Sequence, residues 1–261
     1  MLPLTVETST PRAGLRLLRL SGESATASLS STSIPRIAAA VDAALQDPEV
    51  RALVLTGEGR FFSAGADIDA FAAAIERKEA AALIRGMTGD LHPLLLRMRT
   101  SSTVCVAAMN GAAAGGGLGL ALACDARVAC PTMRIAAAYA GMGLSPDGGA
   151  TWLLPRLVGA QTARRFFFDN AMWTAEEALE HGAVDMVVPD DALIDTALDL
   201  AERWGAWGPH VREATKHLLH VTHDHDLEAH LAHERTLIEA AATTEAFEEG
   251  VAAFIARRSK T

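Results

Sequence analysis

Two strand–turn–helix passages built on glycine and alanine constrain this chain more than any other feature. The first runs from the apolar Leu53-Val54-Leu55 into Phe62-Ser63-Ala64-Gly65-Ala66-Asp67. The second runs from Val104-Cys105-Val106 into Asn110-Gly111-Ala112-Ala113-Ala114-Gly115-Gly116-Gly117. Each precedes a stretch that reads as helix, so the chain is α/β. A turn of Gly and Ala keeps side chains away, and a ligand can then touch backbone N–H groups directly. One such turn is ordinary. Two can aim two N–H donors at a single oxygen, which is how an oxyanion hole is made.

A length of 261 residues allows one large domain, or a domain with an appendage. Aromatic residues are few and the net charge is −9, which argues against nucleic-acid or anionic-membrane partners. Cys105, Cys124 and Cys130 sit in apolar surroundings without metal-ligand spacing, so a reducing, cytoplasmic location is expected. Residues 1–10 have neither a basic start nor a long apolar core, so no secretory leader is expected. Residues 100–124 carry no charge and are long enough to span a bilayer. They also hold Asn110 and five glycines and divide into strand-like and helix-like halves, which argues against a span.

Strands are expected at 4–8, 14–20, 51–56, 104–109 and 125–129, with an amphipathic helix at 33–46 ending at Asp47-Pro48. Residues 68–99 read as helical, with Gly86 and Gly89 marking a break. From about 149 onward the pattern is almost wholly helical. Thr174-Ala175-Glu176-Glu177 starts one helix as a capping box and Gly182 ends it. Residues 1–200 are expected to form the core. Residues 201–261 form a helical region too short for a core of its own, so it should pack on the body or on another subunit.

The ordered set of motifs resembles the crotonase superfamily of enoyl-CoA hydratases and isomerases. The resemblance is carried by Asp47 to Gly57, Phe62 to Ile68, Asn110 to Asp125 and Pro146-Asp147-Gly148-Gly149. It continues through Leu153 to Gly159, Ala175-Glu176-Glu177-Ala178 with Gly182, and Glu249 to Phe254. It implies a ββα spiral core and a C-terminal helical region used for a homotrimer or homohexamer. It also implies an acyl-CoA thioester as substrate and no metal or redox cofactor. By position, the backbone N–H groups of Ala66 and Gly116 would hold the thioester oxygen. Ala64, Gly65, Asp67 and Ile68 would cradle the CoA, and Arg257, Arg258 and Lys260 at the tail could meet its phosphates.

The departures from the family pattern are as informative. The resemblance places two water-activating glutamates of the hydratases where this chain has Gly119 and Tyr139, and neither residue is a carboxylate. Asp147 remains, at the position where isomerase-type members and 4-chlorobenzoyl-CoA dehalogenase carry an aspartate. Read alone, an Asp before two glycines and a helix is more often an N-cap. His92 falls where the dehalogenase resemblance has a histidine near the acyl ring, and Tyr139 where it has a tryptophan. A Leu91-His92-Pro93 step is equally ordinary packing at a helix kink.

Six histidines, His217, His220, His223, His225, His230 and His233, fall within seventeen residues. They lack the H-E-x-x-H arrangement of a zinc helix and, interleaved with carboxylates, read as a solvated or subunit-facing surface.

The expectation is therefore an enoyl-CoA isomerase in which Asp147 moves a proton and Ala66 and Gly116 hold the enolate oxygen. His92 and Tyr139 would lie near the acyl group. Three alternatives stay open: a dehalogenase or hydrolase with Asp147 as nucleophile, hydration by an atypical site, and a catalytically silent CoA-binding protein.

Overall fold

A strand covered on both faces of its sheet needs an uninterrupted apolar run, and the central strands here have one. The computed structural model describes residues 4–21 and 26–258. The chain opens with β1 (Thr5–Arg12), β2 (Leu15–Ser21), α1 (Ser33–Gln46) and β3 (Ala52–Gly57). Next come β4 (Phe61–Ser63), α2 (Ile68–Glu76) and α3 (Ala80–Thr100), then β5 (Val104–Met109), β6 (Ala112–Ala114) and α4 (Gly116–Ala123). β7 (Ala126–Ala129) and β8 (Arg134–Ala136) follow, then α5 (Ala150–Val158), α6 (Ala160–Phe168), β9 (Met172–Thr174), α7 (Ala175–Glu180) and β10 (Met186–Val187).

One sheet has the order β1-β2-β3-β5-β7-β10 and a smaller one the order β4-β6-β8-β9. β3, β5 and β7 are buried at every position and run parallel, while β1 is a mostly exposed antiparallel edge. Three successive passes, β3/β4, β5/β6 and β7/β8, thus each lend one strand to each sheet, which is the expected ββα spiral. Asn110 pins the corner where two passes leave the large sheet. Its Oδ1 accepts from Gly57 N at 2.8 Å, and its Nδ2 donates to the carbonyls of Gly59 and Phe61 at 3.0 and 3.1 Å.

The helical break falls elsewhere than expected. α3 runs unbroken through Gly86, Gly89 and Pro93, and the interruption lies between α2 and α3, where Lys78 has φ +58°. A glycine in an exposed helix costs only about 1 kcal/mol. Burial of Met87, Leu91, Leu94, Leu95 and Met98 along one face outweighs it. The capping box of α7 is complete, with Glu177 N donating to Thr174 Oγ1 and Thr174 N donating to Glu177 Oε2. The region after 149 is almost wholly helical as expected, interrupted only by the short β9 and β10 among the described residues.

The chain ends in α8 (Leu193–Gly205), α9 (Pro209–Val221), α10 (Leu227–Ala241) and α11 (Glu245–Arg258). The expected boundary at 200 falls inside α8, whose Leu193, Ala197, Leu198, Leu200 and Ala201 are buried in the core. α9 is fastened by two buried cations. Arg212 donates to the carbonyls of Ser102, Gly205 and Trp207. Lys216 Nζ reaches the carbonyls of Met98 and Thr103 at 2.8 and 2.9 Å and Asp125 Oδ2 at 2.9 Å.

α10 and α11 have no buried residue. α11 carries Arg257 and Arg258 in its last turn, and Lys260 lies outside the described residues. The histidines are not a uniformly solvated face. His217 Nε2 and His233 Nε2 meet at 3.0 Å between α9 and α10, and the His225 ring packs near those of His230 and His233. Among the described residues no group of side chains is arranged to hold a metal ion. Nor is any helix among them long and apolar enough to cross a membrane.

Candidate active site

The two small-residue turns meet backbone to backbone. Gly65 has φ +82°, and a Cβ there would lie 2.5 Å from the Ala114 carbonyl oxygen, so only glycine lets the turns touch. A short parallel bridge sets the first turn, with Leu29 N donating to Gly65 O at 2.7 Å and Asp67 N donating to Leu29 O at 3.0 Å. Ala66 lies between these bonds. Gly116 opens α4, where the first N–H groups have no acceptor within the helix. Among the described residues, neither the Ala66 N–H nor the Gly116 N–H has a hydrogen-bond partner. Both residues line one cavity of about 280 Å³.

Asp147 borders the same cavity from the loop before α5. Its backbone carbonyl accepts from Tyr139 Oη at 2.9 Å and Ala150 N at 3.3 Å. Its Oδ1 accepts from the Gly148 N–H and lies 2.5 Å from His92 Nε2. Among the described residues Oδ2 has no hydrogen-bond partner, so one carboxylate oxygen is held and the other is free. Tyr139 is 7 % exposed; burial drives its phenol pKa well above the ordinary value, partly offset by its bond to the Asp147 carbonyl. It therefore stays neutral and serves as a donor. The helix-cap reading of Asp147 does not hold. Gly148 and Gly149 both have positive φ, Gly149 is the N-cap of α5, and no side chain caps that helix.

α3 supplies a wall of the cavity that the motifs did not reveal. Ile84, Met87, Thr88 and Leu91 line the cavity at spacings of three or four, one face of a helix. Phe71, Met142 and Leu144 complete it from α2 and the loop after Tyr139. That periodicity was readable in the sequence, but nothing local says that this face meets a ligand rather than the core. A second cavity of about 880 Å³ lies between α5, α8 and α9 and includes Trp152, Trp204 and Lys216. It is larger but borders neither turn nor Asp147, so size does not choose the site.

Residues 11–261 match the family model described as enoyl-CoA hydratase/isomerase. The chain belongs to the enoyl-CoA hydratase/isomerase family. It is thus an acyl-CoA-processing enzyme of the crotonase superfamily. It is 33% identical to the 2,3-dehydroadipyl-CoA hydratase of Escherichia coli (strain K12) over 244 residues, covering 93% of this chain and 92% of that protein. It is also 33% identical to the 1,2-epoxyphenylacetyl-CoA isomerase of the same organism over 219 residues, covering 82% and 81%. The crystal structure of an enoyl-CoA hydratase from Polaromonas sp. JS666 superposes with a TM-score of 0.90 at 30% identity, covering 97% of each chain. One relative is named a hydratase and the other an isomerase, so similarity does not choose the reaction.

Within this family frame, position 119 has no room for a carboxylate. A Cβ on Gly119 would lie 2.3 Å from the Gly148 carbonyl oxygen, so the Asp147-Gly148 turn occupies the space a glutamate would need. Of the other expected positions, Ala64, Gly65, Ile68 and Tyr139 line the cavity with Ala66, Gly116 and Asp147. Asp67 does not. Its carboxylate caps α2, accepting from Ala70 N at 3.2 Å. His92 is not on the wall either and reaches the site through Asp147, its side chain 51 % exposed.

Proposed function

We propose that the protein moves the double bond of an enoyl-CoA, with Asp147 carrying the proton. The observation that carries this reading is the state of one carboxylate. Oδ1 is held by His92 and Gly148, while Oδ2 is open at a cavity that also holds two unpaired backbone N–H groups. In this reading the thioester oxygen sits between the N–H groups of Ala66 and Gly116. Oδ2 takes a proton from C2 of a 3-enoyl thioester, and the electron pair delocalises into a dienolate with its charge on that oxygen. Each preset donor stabilises the charge by about 3 kcal/mol. Oδ2 then returns the proton at C4, and the carboxylate ends as it began. The paired carboxylates of the hydratase pattern are not available for adding water, because position 119 has no room for one. The reading requires no metal or redox cofactor.

Mass spectrometry on 3-hexenoyl-CoA turned over in heavy-oxygen water tests this. Expected is 2-hexenoyl-CoA of unchanged mass, with kcat lowered about 10²–10⁴-fold by Asp147→Asn and acyl-CoA affinity retained. Heavy oxygen across the double bond would mean hydration and overturn the proposal. The 2.5 Å contact between His92 and Asp147 favours a second reading. There Asp147 displaces a leaving group from an acyl- or aryl-CoA carbon, and His92 activates the water that cleaves the resulting ester. Halide loss from a halobenzoyl thioester, with label appearing first in Asp147, would select it. Acyl-CoA binding without turnover, unchanged in Asp147→Asn, would leave a CoA-binding protein without catalysis.

The assembly belongs to the same proposal, a homotrimer or homohexamer. α10 and α11 expose Leu227, Leu231, Ile238, Phe247 and Phe254 and bury nothing, a pattern suited to covering by further copies of this chain. Light scattering after size exclusion tests it, and a monomer at micromolar concentration would refute it. Three unpaired cysteines suit a cytoplasmic location.

A further inference from the structure

The acyl cavity has an uneven charge inventory. Its inner wall is hydrocarbon, made by Leu29, Ile34, Phe71, Met87, Leu91 and Leu144. Leu29, Ile34, Met87 and Leu91 are buried in the core even without a ligand. Among the described residues no Lys, Arg or His lines it, and Asp147 is its one charged side chain. Its uncharged polar side chains, Thr88, Tyr139 and Ser145, cannot replace a cation, and Ser145 offers only a neutral hydroxyl. The Tyr139 hydroxyl is committed to the Asp147 carbonyl, and Thr88 Oγ1 donates to the Arg85 carbonyl within α3. His92 is committed to Asp147 and is not on the wall.

From this we propose that the cavity selects acyl groups ending in uncharged hydrocarbon, aliphatic or aryl, and rejects thioesters whose acyl chain ends in a carboxylate. The inference rests on the thioester-binding reading above and adds the substrate class to it. A terminal carboxylate carried into this cavity would lose its hydration without gaining a cation. It would also share the cavity with the Asp147 carboxylate, itself about one-third exposed, and two like charges there raise the free energy of the complex further. A terminal methyl group in the same place meets only apolar side chains and gains by burial. Relatives are named for a dicarboxylic acyl thioester and for an aryl epoxide thioester, so similarity alone does not make this choice.

Isothermal titration of the full-length protein with hexanoyl-CoA and adipyl-CoA tests it, because these ligands share six acyl carbons and differ at the far end. Adipyl-CoA is expected to bind at least 100-fold more weakly, about 2.7 kcal/mol. Thr88→Arg, which places a cation on the half-buried wall of α3, should raise adipyl-CoA affinity at least tenfold relative to hexanoyl-CoA. Equal affinities in the unaltered protein would overturn the inference and leave thioester binding intact. So would a Thr88→Arg variant that melts like the parent and binds both ligands in the parent's ratio. Failure of both ligands and of acetyl-CoA to bind would instead overturn the thioester reading itself, and the inference with it.

Discussion

Replacing Gly119 with alanine adds one methyl group and should disable a site whose proposed base lies elsewhere in the chain. The new Cβ would sit 2.3 Å from the Gly148 carbonyl oxygen and about 3 Å from the Gly148 carbonyl carbon and Cα. All are backbone atoms, so no side-chain rotation relieves the overlap. Ordinary van der Waals contact begins near 3.5 Å, and the Gly148 peptide must therefore retreat by about 1 Å. Gly148 N donates to Asp147 Oδ1, so the carboxylate moves with it. Overpacking of this kind costs about 1–3 kcal/mol of stability, and displacing a reacting group by about 1 Å costs about 10²-fold in rate.

The assay is turnover of 3-hexenoyl-CoA together with a thermal melt. Gly119→Ala should lose about 100-fold in kcat and melt several degrees lower, at about 2–4 °C per kcal/mol for a chain of this size. KM should change little, because Ala66 and Gly116 still present their N–H groups. A variant with parental kcat would show that the Asp147 turn is not packed on α4 as described, or that Asp147 does not act.

Other outcomes follow from groups outside the site. Lys216→Met should destabilise the chain by about 1–3 kcal/mol in urea melts, because the Met98 and Thr103 carbonyls lose their buried donor and Asp125 keeps only the more distant Arg99, at 3.6 Å, as a cation; a melt matching the parent's would contradict this role. His220 stacks on Trp152 with ring centroids 4.9 Å apart, and burial lowers its pKa from the ordinary 6.5. The unfolded chain then binds the extra proton just below that pH, so this contribution to stability is complete above pH 6.5 and shrinks as pH falls. His220→Phe should flatten the decline between pH 7.5 and 5.5, and an unchanged slope would remove His220 as its source. Burial pushes the Cys105 thiol up to about 12 and the Cys124 thiol well above its usual range. Both should react with a thiol reagent in urea but not in the folded protein, and rapid native labelling of either would contradict their burial.

What was legible in the sequence was whatever is decided locally. α1 spans 33–46 and β5 spans 104–109 as read, because an amphipathic period and an apolar run need no distant partner to be recognised. β4, β6, β8 and β9 have three residues each, and their pairing is wholly tertiary, so no pattern could announce them. Pro93 within α3 is a similar case. It removes a bond to the Gly89 carbonyl on an exposed face, where water can take that acceptor, while the opposite face is held by the core. In the site, both small-residue turns could be read from composition, because their function is to lack side chains. The contact between His92 and Asp147 spans 55 positions and was not read from the sequence, where resemblance placed His92 only near the acyl group. Asp67 shows what resemblance left unsaid: its carboxylate is claimed by the start of α2, so any part it plays toward a ligand falls to its backbone.

The two departures from the hydratase pattern are physically one departure. Gly119 lacks a side chain where the Gly148 carbonyl presses against α4, and Tyr139 donates its hydroxyl to the Asp147 carbonyl one residue earlier. The two positions expected to carry water-activating glutamates thus hold residues that make room for, and fasten, the loop bearing Asp147. A glutamate restored at 119 would expel that loop, and one restored at 139 would exchange its hydroxyl donor for an acceptor facing a carbonyl oxygen. Neither glutamate is compatible with Asp147 in its observed place. In this chain a single carboxylate thus stands where the hydratase pattern has two, and the proposed transfer of a proton between carbons needs only that one.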